Sequence, residues 1–155
     1  MKRLVRNTIT FVVLSPVILI TYLCSLFIGR ERAERLLGPV LQFITVQVLK
    51  VLVPNIKDRD EFHLFTPKMR AKFVLWNPLW DVRVDYEDEN TCRLHISNCP
   101  FCEVLKGVRL PLLARSVCEA DWILARKNAD KWSFERTCQI GTGDTYCNST
   151  YKRIQ

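Results

Sequence analysis

Hydropathy divides the chain into two apolar stretches followed by a region of alternating and helical patterns. Residues 9–28 (ITFVVLSPVILITYLCSLFI) carry no charge, and about 20 such residues is the length a helix needs to cross a hydrocarbon core. Pro16 kinks such a helix without excluding it. The run ends at Gly29-Arg30-Glu31-Arg32, a poor cleavage site, so it reads as an anchor rather than a removable signal. A charged helical turn, Glu31–Arg35, leads to a second apolar stretch, Val40–Val53, bounded by Gly38-Pro39 and Pro54. Gln42, Thr45, Gln47 and Lys50 interrupt it without forming one polar face, and it is short for a span. It reads as a helix lying on a membrane or capping the domain that follows. A hairpin of two spans is the alternative.

Residues 54–79 hold Pro54, Pro67 and Pro78 and read as irregular, with a short strand at Lys72–Trp76. From Trp80 the pattern alternates. Trp80–Glu87 sends Val82, Val84 and Tyr86 to one side, and Thr91–Ser97 does the same with Cys92, Leu94 and Ile96. With the polar turn Asp88–Asn90 between them, these predict a β-hairpin with one wet face. Cys99–Gly107 predicts a short helix with proline in its first turn and glycine at its end. Leu110–Lys127 predicts a longer one. Strands at Trp132–Ile140 and Thr145–Arg153 flank a turn at Gly141–Asp144. The order gives an α+β fold: N-terminal apolar helices, then a small antiparallel sheet of about four strands with helices on one face. The expected divisions are an anchor helix with its basic flank over 1–35, an apolar helix over 36–56 and the α+β domain over 57–155.

Composition refines this picture. Hydrophobic residues at 48% and charged residues at 25% are those of a globular chain. Much of the +7 charge lies at the two ends of the first apolar segment, as Lys2, Arg3, Arg6, Arg30, Arg32 and Arg35. That placement suits a membrane surface. No basic face is interleaved with aromatics, which argues against a nucleic-acid partner. Lysine and arginine are balanced on the two flanks, so orientation stays open. Of seven cysteines, one is Cys24 in the apolar segment. The other six keep company with acids and an arginine, which favours free thiols and a domain in the reducing cytoplasm.

The candidate chemistry gathers in the last third. Ala114, Val117, Cys118, Asp121, Trp122 and Ala125 form one stripe at helical spacing. Asp121 is its one charge, and a carboxylate on an apolar face must be paired, hydrogen-bonded or protonated. Cys118 lies one turn earlier. Arg136, on an otherwise apolar strand face, is the natural counter-charge. One reading is a nucleophilic or substrate-orienting thiol beside an acid/base carboxylate. The other is a structural Asp–Arg bridge beside an inert core cysteine, and the sequence weighs the two equally. Glu119 and His95 read as solvated. Cys99-Pro-Phe-Cys102 is a lone CxxC without the second pair of a zinc ribbon, so no metal site is assigned. Cys99, Cys102 and Cys147 can instead line a pocket with Cys118. The Gly141–Asp144 turn is too short for a phosphate loop. Asn148-Ser149-Thr150 matches a glycosylation sequon but falls in a predicted strand. GxSxG, HExxH and Rossmann glycine patterns are absent, so hydrolysis would rest on cysteine with a carboxylate, or on a bound metal. The identity of any cofactor stays open.

The run Cys118-Glu119-Ala120-Asp121, the segment Phe134–Thr137 with Ile140, then Gly143-Asp144 and Cys147 resemble the C-terminal signature of the L-2-amino-thiazoline-4-carboxylic acid hydrolase family. Cys99, leading from a strand into a helix with Glu103, is similar to that family's middle motif, and Gly29–Ala33 to its N-terminal helical region. The resemblance covers roughly residues 77–151. It implies a small α+β domain and ring-opening hydrolysis of a cyclic thiazoline amidine to a carbamoyl-cysteine, on a route to cysteine. For the nucleophile, the acid/base and the cation that such a reaction needs, the candidates are Cys118, Asp121 and Arg136, and the candidate contacts for a small-molecule substrate are Cys99, Glu103, Asp144 and Cys147. The Gly-Asp…Cys ending also resembles vinyl-reductase-type ligand-binding domains, which implies a membrane-tethered binder or sensor without catalysis. A structural membrane protein with thiols in its core is a third option. A membrane is the other expected partner, and the oligomeric state stays open.

Overall fold

Helix α1 (Lys2–Ile28) and helix α2 (Arg30–Leu52) are joined through the single residue Gly29, whose φ of 80° suits a residue without Cβ. The computed structural model describes residues 2–155. Thr10, Leu14, Ile18 and Thr21 form the buried stripe of α1, at three- and four-residue spacing. The second helix is longer than the hydropathy suggests, because it runs back through Gly38-Pro39 to Arg30. Gly38 lets it approach the body of the protein, since a Cβ there would stand 2.8 Å from Ser116 Oγ. Both helices are long and apolar enough to cross a membrane, and only 17% and 28% of their most apolar windows are buried.

After a 3-10 turn at Asp60–Leu64 comes α3 (Phe65–Trp76). Residues 54–79 are thus more ordered than expected, and Lys72–Trp76 is the end of a helix rather than a strand. Phe65, Met69 and Trp76, at spacings of four and seven, bury one face of that helix. Trp76 Nε1 also donates to Leu52 O at 3.1 Å, fixing α3 to the end of α2.

Strands β1 (Val82–Glu87) and β2 (Thr91–Ile96) form the expected hairpin, starting two residues later than the alternation suggests. Cys92, Leu94 and Ile96 are buried, but Tyr86 is exposed. The register of β1 shifts between Val84 and Tyr86, and such a bulge turns the following side chain outwards. Helices α4 (Pro100–Gly107) and α5 (Pro111–Lys127) follow as predicted. Strand β3 covers only Trp132–Glu135, and β4 covers Cys147–Arg153. The predicted strand to Ile140 breaks because Asn148 Oδ1 accepts from Thr137 and Cys138 N–H, at 2.9 and 2.7 Å. A side chain there replaces a strand partner. The GTGD segment is partly taken up by a 3-10 turn at Ile140–Thr142.

The four strands make one antiparallel sheet in the order β1-β2-β4-β3. With five α-helices among the described residues, the fold is α+β. The β2–β4 register sets Cys92 opposite Tyr151, Leu94 opposite Ser149 and Ile96 opposite Cys147, so one sheet face points inwards. A single hydrophobic core runs from Leu14 and Ile18 in α1, through α2 and α5, to Trp132 and Tyr151 in the sheet.

Candidate active site

Helix α5 carries the site, and its placement depends on a residue in α2. The α5 N-terminus has no side-chain cap of its own. Instead Glu34 Oε2, buried, accepts from Leu112 N–H at 2.8 Å and Leu113 N–H at 3.2 Å. A carboxylate there satisfies two orphan donors and complements the positive end of the helix. Sequence reasoning leaves Glu34 in a charged turn. Its signal is its place on the same α2 stripe as Gly38 and Leu41, four and seven residues on. Glu119, expected to be solvated, also links the two helices: it accepts from Gln42 Nε2 at 3.0 Å and Arg115 Nε at 2.8 Å.

On α5, Ala114, Val117, Cys118 and Ala125 are buried, with Asp121 and Trp122 half-buried. Asp121 Oδ2 accepts from Arg136 Nη2 at 2.8 Å, with the two side chains 14% and 3% exposed. Arg136 lies just beyond the end of β3, so its pairing survives the loss of the strand. Its Nη2 also donates to Ser149 Oγ at 2.8 Å and its Nη1 to Cys118 O at 3.2 Å. Its guanidinium carbon sits 5.0 Å from the Phe134 ring centroid. Arg136 Nε is buried and has no hydrogen-bond partner. Burial is the largest single influence and opposes the charge of Arg136, but the Asp121 carboxylate together with Cys147 and Cys118 outweighs it and pushes the guanidinium pKa up. Burial pushes the Asp121 carboxyl up, and the Arg136 charge pulls it back.

Three thiols converge beside this pair. Cys102 Sγ and Cys118 Sγ are 3.4 Å apart, and Cys147 Sγ accepts from Ile140 N–H at 3.3 Å. Cys118 is the acidic member. A hydrogen bond from Cys102 lowers its pKa most, followed by one from Cys147. The Arg136 charge and the Gly141 N–H act in the same direction against the cost of burial. As donors to it, Cys102 and Cys147 are pushed up. Gly141 is required at this point, because a Cβ would lie 2.6 Å from Cys118 Sγ. Cys118 Sγ thus sits against Cys102 Sγ and Gly141, with the buried Arg136 guanidinium held at the Cys118 carbonyl.

A cavity of about 180 Å³ ends on this cluster, with Cys99, Cys118, Asp121, Arg136 and Cys147 in its wall. Five of the seven predicted site residues therefore meet. The other two lie elsewhere. Glu103 accepts from Arg3 Nε at 2.9 Å and Asn7 Nδ2 at 3.0 Å, and Asp144 Oδ2 accepts from Gln139 N–H at 2.6 Å. Both border a separate polar groove beside the start of α1. His95 stacks on Tyr146, with ring centroids 4.7 Å apart, and does not line the cavity. Ser149 and Gly141 also belong to the site, although the sequence shows them only as parts of a sequon and of a hairpin turn. Among the described residues no group of three His, Cys, Asp or Glu side chains is arranged to hold a metal ion.

Fold and site together define a class: a small α+β domain with an apolar helix pair packed over it and a cavity lined by cysteines beside a buried Asp–Arg pair. The chain belongs to the L-2-amino-thiazoline-4-carboxylic acid hydrolase family, whose profile matches residues 13–151. The match takes in all of α2 and the second half of α1, so the apolar helices are part of the family unit. No curated protein matches the chain.

Proposed function

We propose that the protein is a membrane-attached, thiol-dependent hydrolase that opens a thiazoline-type ring. The observation that carries this reading is the place of Cys118 in the cavity wall, beside the buried Asp121–Arg136 pair and 3.4 Å from Cys102 Sγ, an electropositive setting of the kind that favours a nucleophilic thiol. In a 2-amino-thiazoline the electrophile is the carbon bonded to the ring sulfur, the ring nitrogen and the exocyclic nitrogen. Cys118 Sγ adds to that carbon and the ring C–S bond breaks. The departing sulfur takes a proton from Cys147, leaving a neutral isothiourea on Cys118. Water then adds to the same carbon: one of its protons passes through Asp121 to the isothiourea nitrogen, the Cys118 thiolate departs, and the remaining hydroxyl proton returns to Cys147. The sum is one water consumed and one carbamoyl group plus one free thiol formed. Burial raises the basicity of Asp121, which suits it to take that proton. Arg136 Nε is the free donor for a substrate acceptor.

The outer face of α1 and α2, where Leu26, Phe27 and Phe43 stand exposed, supports attachment to a membrane. The first helix is tied to the domain along its length, Arg3 to Glu103, Arg6 to Asp81 and Tyr22 to Val108 O, and Arg30, the first residue of α2, donates to Arg109 O. Those contacts favour a helix pair lying in the membrane surface over one that crosses it. The free thiols fit a domain on the cytoplasmic side.

The test is thiol release from L-2-amino-thiazoline-4-carboxylate by purified full-length protein in lipid nanodiscs. Turnover should fall at least about 100-fold in C118A. Turnover that survives this substitution would sink the nucleophile assignment. Binding without any release would leave a small-molecule binder or sensor.

A further inference from the structure

The cavity at Cys118 has two unlike ends. The polar groups gather at the inner end. Most of the remaining wall is aliphatic and aromatic, supplied by α1, α2 and the Trp76–Trp80 pair, whose ring centroids are 5.3 Å apart. A thiazoline amino acid is zwitterionic, and such a wall desolvates its charges without pairing them. Three wall residues also face outwards: Val13, Ile44 and Val48 are 63%, 46% and 41% exposed. The cavity therefore reaches the seam between α1 and α2, on the face these helices turn away from the domain. At the inner end, Arg136 Nε is a buried donor with no partner. Such a group is costly until an acceptor reaches it.

We propose that the substrate of this protein is lipophilic. A thiazoline-type ring sits at Cys118 with a carbonyl or carboxylate oxygen on Arg136 Nε. An alkyl or aryl substituent fills the apolar wall and enters from the bilayer through the α1–α2 seam. The ring chemistry rests on the hydrolase reading above, whereas the apolar pocket and its mouth do not. The wall adds about fourfold in affinity for each methylene it takes out of water.

The test uses full-length protein in nanodiscs with 2-amino-thiazoline-4-carboxylic acid and its butyl, hexyl and octyl carboxamides. Equilibrium dialysis reads Kd and thiol release reads turnover. Ile44→Trp narrows the mouth, and Val12→Trp, on the outer face but outside the cavity, serves as the reference. Comparing variants at each chain length cancels partitioning into lipid. The expected result is affinity rising about fourfold per methylene until the wall is filled, with octyl binding at least about tenfold weaker in I44W than in V12W. A flat series, or equal octyl binding by the two variants, overturns the proposal. If the parent acid alone is then turned over, the hydrolase reading survives that failure. Chain-dependent binding without thiol release keeps the lipophilic pocket and ends the hydrolase reading.

Discussion

At the scale of single residues, the site depends on how charge is held beside Cys118. An ordinary cysteine reacts as a thiolate only near its pKa of about 8.5. The donors around Cys118 lower its pKa, so its thiolate fraction persists as pH falls. Carboxymethylation of the Cys118 peptide, followed by mass spectrometry, should therefore continue at about pH 6, where an ordinary thiol is almost wholly protonated. Replacing Arg136 removes one of the lowering charges and should move that profile to higher pH. The same substitution strands a buried carboxylate. R136M should therefore cost about 3–5 kcal/mol in urea unfolding. R136M/D121L should cost less than the sum of its single changes, because no lone charge is left. Additive costs would mean that the pair is not coupled. Asp121 and Cys118 were legible in the sequence because helical spacing is a local property: one charge on an apolar stripe demands a partner. Ser149 was not legible, because nothing local separates an inward serine that meets Arg136 from any other serine in a strand.

At the scale of elements, the helices that carry the site were legible and the connections between them were not. Proline at the start of α5 and the apolar stripe along it are local signals. The cap that Glu34 supplies from 78 residues away is not. E34A leaves Leu112 and Leu113 N–H without an acceptor and should cost about 1–3 kcal/mol. E34Q keeps an acceptor but loses the charge at the helix end, so its loss should be smaller, about 0.3–1 kcal/mol. Equilibrium unfolding at neutral pH checks both, and equal costs for the two would remove the role assigned to charge. The same limit explains the misread strands. Lys72–Trp76 is a short apolar run whose helical period shows only when Phe65 and Met69 are counted with it. The strand predicted to reach Ile140 stops at Glu135 because a side chain from β4, Asn148, takes the next two N–H groups. Alternation in the sequence carries no trace of that exchange.

At the scale of the whole molecule, the apolar helices belong both to the core and to the surface. Leu14 and Ile18 are buried with the sheet and α5, while Leu26 and Phe27 are 78% and 87% exposed. Hydropathy alone reads α1 as a span, because it reports how apolar a helix is and not what ties it down. The ties at Arg3, Arg6 and Tyr22 hold it alongside α4 and the loops next to it, and Arg30 at the start of α2 adds a bond to Arg109 O. A crossing helix would have to break the contacts at one end, and its two ends would then face opposite compartments. A helix lying in the surface keeps both ends on one side. Single cysteines at Lys2→Cys and Arg32→Cys, in a Cys24→Ser background and identified by peptide mapping, distinguish these arrangements. A membrane-impermeant maleimide added to sealed, right-side-out vesicles should label either both positions or neither. Labelling of one alone would establish a span. The proposed attachment through the outer face also sets a magnitude. Phe27→Glu and Phe43→Glu each remove a large exposed aromatic contact worth about 1.5–3 kcal/mol on full burial in lipid. Each should lower vesicle partitioning by about tenfold or more. Neither side chain lines the cavity, so the acid-shifted reactivity of Cys118 should stay as it is. A variant that left the membrane and also lost that reactivity would mean that the helix pair holds the site together only when lipid supports it.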